Sequence, residues 1–157
     1  MHGSQKEQDQ LPSVLFLCTG NSCRSQMAEG LLRNVAGDRF EVLSAGTDPV
    51  GLNPRAIRVM SEIGIDISNQ SSDSFDLFQD HPPDLVIAVC DRAAVACRKS
   101  TGVEDALCWV FRDPAHAEGT ESEILDEFRQ VRDEIRARIE VWLEAGAAPL
   151  LQLTQCD

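Results

Sequence analysis

The segment that most constrains this chain is a short apolar run followed by a polar turn and the beginning of a helical pattern. Val14 to Leu17 are apolar, and the sequence Cys18-Thr-Gly-Asn-Ser-Cys-Arg24-Ser25 follows directly. A continuous apolar run of this length is typical of a strand that is buried on both faces in a parallel sheet. The segment therefore predicts a strand, a tight loop and a helix in immediate succession.

This loop has the chemistry of an oxyanion site built around a thiol. Backbone N–H groups in the turn and the N-terminus of the next helix attract an anion, and Arg24 can add a two-pronged, charge-assisted grip. Such surroundings lower a thiol pKa from about 8.5 to roughly 3.5–7.5, so we expect Cys18 to be a nucleophilic thiolate. A lone cysteine is more often a small buried hydrophobe, but the spacing to Arg24 favours catalysis. The residues expected to bind the oxyanion are Thr19, Gly20, Asn21, Ser22, Cys23 and Arg24.

Composition limits the classes of function. The chain has 157 residues, which suits one domain, and 43% of them are hydrophobic, which is enough for a core. A net charge of −12 argues against nucleic-acid binding. No apolar run is long enough to cross a bilayer and no signal peptide is evident, so we expect no membrane association. Because the six cysteines have no secretory context, we expect reduced thiols and a cytoplasmic location.

Apolar runs alternate with helical patterns along the rest of the chain. This alternation predicts an α/β fold with a parallel sheet. We expect a disordered segment over residues 1–11, one catalytic domain over 12–146, a C-terminal tail over 147–157, and a monomer. The predicted strands are 14–18, 40–45, 84–90 and 106–111, and the predicted helices are 25–36, 53–64, 72–78 and one that begins after Thr120 and ends near Gly146.

The sequence from Cys18 to Ser25, which continues as Gln26-Met27-Ala28-Glu29-Gly30, resembles the low-molecular-weight tyrosine phosphatases, and within them the thioredoxin-coupled arsenate reductases. The resemblance covers about residues 13–145. It implies a four-stranded parallel sheet with helices on both faces and an active loop after the first strand. It also implies that no cofactor is tightly bound and that thioredoxin is the electron donor.

Two further thiols follow the third predicted strand. Cys90 ends that strand and can face the same site as Cys18, because parallel strands present their carboxyl ends on one edge. Cys97 follows in the next segment. From spacing alone, core packing explains both residues equally well. The resemblance instead implies a relay: Cys18 attacks arsenate, Cys90 attacks Cys18 and releases arsenite, and Cys97 moves the disulfide to the Cys90–Cys97 pair, which thioredoxin reduces.

Asp113-Pro114 follows the fourth predicted strand on the same edge. On its own, such a pair most often starts a turn, whereas the resemblance implies that Asp113 protonates the departing oxygen. In tyrosine phosphatases of this fold an aromatic residue usually follows Asp-Pro, but Ala115 stands here and the chain has no Tyr. This departure favours a small inorganic oxyanion: arsenate, with phosphate or sulfate as competitors.

Two alternatives to arsenate reduction remain open from the sequence. Cys18, Arg24 and Asp113 are all that a low-molecular-weight protein tyrosine phosphatase needs to hydrolyse phosphate monoesters through a Cys18 phosphoenzyme. A non-catalytic anion-binding or redox-sensing module would need only the loop.

Other residues have supporting roles in this interpretation. We expect the Asn21 side chain to brace the loop and Ser25 to donate a hydrogen bond to the Cys18 sulfur. Some reductases of the family bind a potassium ion beside the loop, although here the sequence slightly favours the alternative that Glu29 is a solvated helix residue and Asp73 a helix-start residue. The positions that resemble the potassium ligands are Asn21, Glu29, Ser44 and Asp73.

The remaining cysteines and histidines are assigned no chemistry. Cys23 takes part in no step, Cys108 is expected in the core, and Cys156 in the tail is expected to be incidental. His81 and His116 have no partner at the spacing of metal ligands, so we expect no zinc site.

Overall fold

The strand that precedes the Cys18 loop lies inside a four-stranded parallel sheet. The structure, a computed structural model, describes residues 11–90 and 107–147. In chain order the strands are β1 (Ser13–Cys18), β2 (Glu41–Gly46), β3 (Leu85–Ala88) and β4 (Leu107–Cys108). Their spatial order is β2-β1-β3-β4, with every pair parallel. The predicted α/β class and four-stranded parallel sheet are confirmed.

β1 is apolar because it has neighbours on both edges and layers on both faces. Phe16 pairs with Ser44 of β2 and with Ile87 of β3. Residues 14 to 17 have no exposed surface, and Cys18 is buried at the end of the strand. An aromatic cluster covers one part of this core: the rings of Phe16 and Trp109 lie 6.2 Å apart, and those of Trp109 and Trp142 lie 5.9 Å apart.

Three α-helices begin within one residue of the predicted positions, and the second ends three residues before the predicted end at Gly64. They are α1 (Arg24–Ala36), α2 (Pro54–Ser61) and α3 (Glu121–Glu144). Asn53 caps α2 by accepting a hydrogen bond from the Arg55 N–H at 2.8 Å. Thr120 and Glu123 form a reciprocal capping box at the start of α3. The predicted helix over 72–78 is reduced to a 3₁₀ turn at Phe75–Phe78.

Several side chains and strand ends differ from the sequence predictions. The third and fourth strands are shorter than the apolar runs that encode them. Cys108, predicted in the core, is exposed, because β4 is an edge strand and the next residue, Trp109, takes the buried position.

Some predictions fall on residues outside the described ranges. These are the segment 1–10, the segment 91–106 that carries Cys97, and the tail from 148 onward that carries Cys156. In the ranges 11–90 and 107–147, none of the helices is long and apolar enough to span a membrane.

Candidate active site

A cavity of about 570 Å³ opens where β1 and β3 end. It lies at the carboxyl edge of the parallel sheet, where open α/β folds place ligands. Most residues of the predicted oxyanion loop line it, together with Cys90 and Asp113 from later parts of the chain. The lining residues within the described ranges are Cys18, Thr19, Gly20, Ser22, Cys23, Arg24, Val50, Cys90, Asp113, Ala115 and His116.

The loop between β1 and α1 turns its carbonyls away from the cavity and into the segment that follows β2. Backbone N–H groups of residues 47–53 donate to these carbonyls at 2.8–3.2 Å. Because these carbonyls are engaged elsewhere, the backbone groups that the loop can offer to an anion are its N–H groups, as at other helix N-terminal anion sites. The carbonyls that accept these bonds belong to Cys18, Thr19, Gly20 and Ser22.

Gly46 is a residue of the site that sequence reasoning missed. It ends β2 beside Cys18. A Cβ atom at this position would lie 2.6 Å from the Thr19 carbonyl oxygen and 3.0 Å from the Asn21 backbone nitrogen. The strand end and the loop can approach so closely only because residue 46 has no side chain.

Asn21 adopts a backbone conformation that few side chains accept. Its φ is +46°, in the left-handed region, and the residue is fully buried. Its side-chain amide donates to Ser25 Oγ at 2.9 Å and to Ser44 Oγ at 3.0 Å, and its Oδ1 accepts from the Asp73 N–H at 2.8 Å. These bonds fix the middle of the loop. That Ser25 donates to the Cys18 sulfur stays a prediction.

The Cys18 and Cys90 thiols are in direct contact. Cys90 follows β3, is buried, and is hydrogen-bonded to the Cys18 thiol. The Cys90 sulfur also lies 3.5 Å from Thr19 Oγ1. Two thiols from different strands therefore meet at the floor of one cavity, which is the arrangement that their positions at two strand ends had suggested.

The protonation of Cys18 differs from the sequence prediction. The hydrogen bond with Cys90 raises the pKa of the Cys18 thiol well above its ordinary value, burial raises it further, and the positive charge of Arg24 acts in the opposite direction. The predicted depression of the pKa is therefore wrong for this arrangement. That prediction considered only the loop and Arg24. The thiol that raises the pKa belongs to Cys90, which lies 72 positions further along the sequence (90 − 18).

Arg24, the first residue of α1, also holds the segment that carries Asp113. Its Nη1 donates to the Phe111 carbonyl at 2.9 Å, and its Nη2 lies 3.5 Å from Asp113 Oδ2. Its buried Nε atom has no hydrogen-bond partner among the described residues. Because a buried donor without a partner is costly, an oxyanion in the cavity that Arg24 lines would supply the missing acceptor.

Asp113 starts a turn and also lies at the wall of the cavity. Its Oδ1 accepts from the Ala115 N–H at 3.0 Å and so starts a 3₁₀ turn at Pro114–His116. Its Oδ2 lies 3.3 Å from His116 Nε2 and faces Arg24. The carboxyl group is half-buried and lines the same cavity as Cys18. The part played by His116 was not anticipated, although its i+3 spacing from Asp113 was a usable signal.

Cys23 lines the cavity as a protonated thiol. Burial is the main cause that raises its pKa, to about 11, and Arg24 and a hydrogen bond with Ser22 oppose this. Its sulfur lies 3.4 Å from Ser22 Oγ. A thiol with this pKa is a poor nucleophile near neutral pH.

The four positions that resemble potassium ligands are joined to one another by hydrogen bonds, and one of them is paired with Arg33. Glu29 Oε1 accepts from the Ser44 hydroxyl and Glu29 Oε2 pairs with Arg33. Asp73 uses its Oδ2 to accept from Ser71, and contacts Asn21 only through its backbone N–H. The Arg33 guanidinium thus already balances the charge of the Glu29 carboxylate. In the described ranges no group of three or more His, Cys, Asp or Glu residues is arranged to hold a metal ion.

Comparisons with known proteins show which families this chain is similar to in sequence and fold. The family model described as low molecular weight phosphotyrosine protein phosphatase matches residues 13–152. An arsenate reductase of Halalkalibacterium halodurans is 49% identical over 133 residues, which cover 85% of this chain and 96% of that protein. An arsenate reductase of Bacillus subtilis (strain 168) is 48% identical with the same coverage. A solved structure of an arsenate reductase in the reduced state has a TM-score of 0.71 and 34% identity, and the match covers 85% of this chain and 98% of that one.

Proposed function

Since the chain belongs to the low molecular weight phosphotyrosine protein phosphatase family, we propose that it is an arsenate reductase in which Cys18, Cys90 and Cys97 carry two electrons from thioredoxin to arsenate. The observation that carries the proposal is the hydrogen-bonded pair of thiols, Cys18 and Cys90, at the floor of an oxyanion cavity. Ester hydrolysis needs one thiol there, whereas a reduction that ends in a disulfide needs two within bonding reach.

The first step is attack of the Cys18 thiolate on arsenic. The loop N–H groups and Arg24 hold the arsenate, and Asp113 donates a proton so that one oxygen leaves as water. A sulfur–arsenic bond forms, and arsenic is still As(V). Cys18 must first lose its proton, although its hydrogen bond with Cys90 raises its pKa. Binding of the anion and of Arg24 at the loop would therefore have to break the hydrogen bond between the two thiols.

The second step is the redox step. The Cys90 thiolate attacks the Cys18 sulfur, a Cys18–Cys90 disulfide forms, and the electron pair of the sulfur–arsenic bond stays on arsenic. Arsenic is thereby reduced to As(III) and leaves as arsenite, while the two thiols are oxidised together by two electrons. The hydrogen bond between these thiols supports this step because it places the attacking sulfur next to the sulfur that is attacked.

The third step regenerates the nucleophile. The Cys97 thiolate attacks Cys90, the disulfide moves to Cys90–Cys97, and Cys18 is released as a thiolate. The dithiol of thioredoxin then reduces the Cys90–Cys97 disulfide. This exchange requires a compartment that keeps thioredoxin reduced, so we propose that the enzyme is cytoplasmic. We also propose that it acts as a monomer, because the relay uses thiols of one chain only.

The rim of the cavity supports a small substrate. Ala115 stands where an aromatic ring would hold a phosphotyrosine, and the exposed Val50 is the aliphatic residue that lines the cavity beside the loop. The net charge of −12 repels anions from the protein as a whole. The loop N–H groups and Arg24 must therefore supply the local positive potential that attracts an anion to the cavity.

The test is arsenate turnover with thioredoxin, thioredoxin reductase and NADPH. We expect Cys18→Ser, Cys90→Ser and Cys97→Ser to reduce NADPH oxidation to background, and the exposed Cys108→Ser to retain wild-type turnover. Without thioredoxin, Cys97→Ser should release one arsenite per chain and accumulate a Cys18–Cys90 disulfide, detectable by mass spectrometry. Sustained arsenate turnover by Cys90→Ser would refute the relay.

A phosphatase is the second candidate, because Cys18, Arg24 and Asp113 line the same cavity. These three residues suffice for hydrolysis of a phosphate monoester through a phosphorylated cysteine. We expect slow hydrolysis of p-nitrophenyl phosphate that persists in Cys90→Ser and disappears in Cys18→Ser. A turnover number for this ester far above that for arsenate would make the phosphatase the main function.

A further inference from the structure

Two chains of hydrogen bonds converge on Asn21, and both begin at one arginine. The arginine is Arg33, which lies near the end of α1 and is partly exposed. The helix begins at Arg24, so Arg33 lies nine residues after Arg24, at a distance of about 13 Å along the helix axis. Arg33 is therefore too far away to touch an oxyanion bound at the other end of the helix.

The first chain reaches the Asn21 side chain. Arg33 Nη2 donates to Glu29 Oε2, and the Ser44 hydroxyl donates to the other oxygen of the same carboxylate. Ser44 Oγ in turn accepts from Asn21 Nδ2 at 3.0 Å. Only 10% of the Glu29 side chain is exposed, so its charge is poorly hydrated and depends on Arg33 for compensation.

The second chain reaches the Asn21 backbone. Arg33 Nη1 donates to Gln70 Oε1 at 3.0 Å. Gln70 Nε2 donates to Gln26 Oε1 at 2.8 Å, and Gln26 Nε2 donates to the Asn21 carbonyl at 2.9 Å. Both side-chain amides are thereby fixed in one orientation, because each of them donates at one end and accepts at the other.

The two chains act on the loop residue that most needs support. Asn21 has a φ of +46° and is fully buried in the middle of the oxyanion loop. A left-handed residue persists only where its surroundings determine its conformation. The chain that ends on its side chain and the chain that ends on its carbonyl hold this conformation from two sides.

We propose that Arg33 is a positioning residue for the oxyanion loop and supplies, as a fixed guanidinium, the positive charge that a potassium ion would otherwise bring to Glu29. The proposal rests on the proposed function, because the loop in question is the one that would bind arsenate. It makes anion binding by this chain independent of potassium.

The test compares Arg33→Gln with a matched control. Arg136→Gln removes another i,i+4 arginine–glutamate pair from a helix surface, that with Glu140, in which both side chains are 55% exposed. For each variant we would measure the dissociation constant of inorganic phosphate by calorimetry in NaCl and in KCl at equal ionic strength. The pH profile of Cys18 alkylation by iodoacetamide, followed by mass spectrometry, gives an independent readout of the loop.

The expected result is specific to Arg33. Wild type and Arg136→Gln should bind phosphate equally in both salts, whereas Arg33→Gln should bind it about tenfold more weakly in NaCl and recover in KCl. Arg33→Lys, which keeps the charge, should stay near wild type. In the double variant Glu29→Gln/Arg33→Gln the potassium response should vanish, because no charge is left to compensate.

Three outcomes would overturn the proposal. The first is a wild-type protein whose affinity for phosphate depends on potassium. The second is an Arg33→Gln variant that binds phosphate in NaCl as tightly as Arg136→Gln does. The third is a loss of affinity in Arg33→Gln that KCl does not restore and that Arg33→Lys shows as well. None of these measurements requires thioredoxin or arsenate. A wild type that binds phosphate but fails to reduce arsenate would therefore count against the proposed function and leave the role of Arg33 standing.

Discussion

Gly46→Ala places one methyl group against the oxyanion loop. The added Cβ would lie 2.6 Å from the Thr19 carbonyl oxygen and 3.0 Å from the Asn21 nitrogen. Both atoms belong to backbone that is held by further hydrogen bonds, so neither can turn aside as a flexible side chain would. Either β2 or the loop must move by several tenths of an ångström.

The cost of this change can be bounded from the packing. Forcing an extra methyl group into a well-packed site costs about 1–3 kcal/mol, which for a domain of this size lowers the melting temperature by roughly 2–12 °C. A small displacement of the loop N–H groups acts directly on anion binding and turnover, and misplacement of reacting groups by about 1 Å can cost about 100-fold in rate. We therefore expect a loss of kcat/KM of about 10–100-fold.

Gly30→Ala is the matched control for this substitution. A Cβ at Gly30 would also approach a heavy atom to 2.6 Å, but that atom is Cγ2 of Ile67, in the core between α1 and the segment after α2. Both variants should lose stability in thermal melts, and only Gly46→Ala should lose affinity for phosphate. If Gly46→Ala bound phosphate like wild type, or if Gly30→Ala lost as much affinity, the reasoning about the loop would be refuted.

Two further substitutions test the electrostatics and the rim of the cavity. The hydrogen bond with Cys90 is the largest cause that raises the Cys18 pKa, so Cys90→Ala should lower this pKa. The midpoint of Cys18 alkylation, measured on the Cys18 peptide by mass spectrometry, should then move to lower pH. An unchanged midpoint would contradict this. Ala115→Tyr should lower the KM for p-nitrophenyl phosphate, because the ring adds an aromatic contact worth about 0.5–1.5 kcal/mol; an unchanged KM alongside unchanged arsenate turnover would show that residue 115 does not line the path of the aryl group.

Local sequence predicted the strand–loop–helix unit because all of its causes are local. The apolar run of β1, the start of α1 and the caps at Asn53 and Thr120 each depend on residues a few positions apart. The argument that brought Cys18 and Cys90 to one site joins distant residues, but it needed only the rule that parallel strands present their carboxyl ends on one edge. These features follow from propensity, spacing and the direction of parallel strands, and all three can be inferred before the chain is folded.

The predictions that failed involve contacts between distant parts of the chain. The pKa of Cys18 depends on a thiol from another strand, and the exposure of Cys108 depends on β4 being the edge of the sheet. The convergence on Asn21 of bonds from Arg33 joins helix, strand and connector residues, and no spacing rule relates them. The close approach at Gly46 is likewise visible only once the loop and β2 are placed together.

The guanidinium of Arg24 has a consequence for how mutational data on this site should be interpreted. It fastens the Phe111 carbonyl and faces Asp113, so the segment that follows a strand of only two residues is tethered to the first turn of α1. Truncating Arg24 would remove the proposed anion ligand and, in the same change, the contacts that hold the segment of Asp113, the proposed proton donor. The loss of activity in an Arg24 variant and the loss in Asp113→Asn would therefore not add. A double-mutant cycle should give a large coupling energy between the residue proposed to bind the anion and the residue proposed to donate the proton.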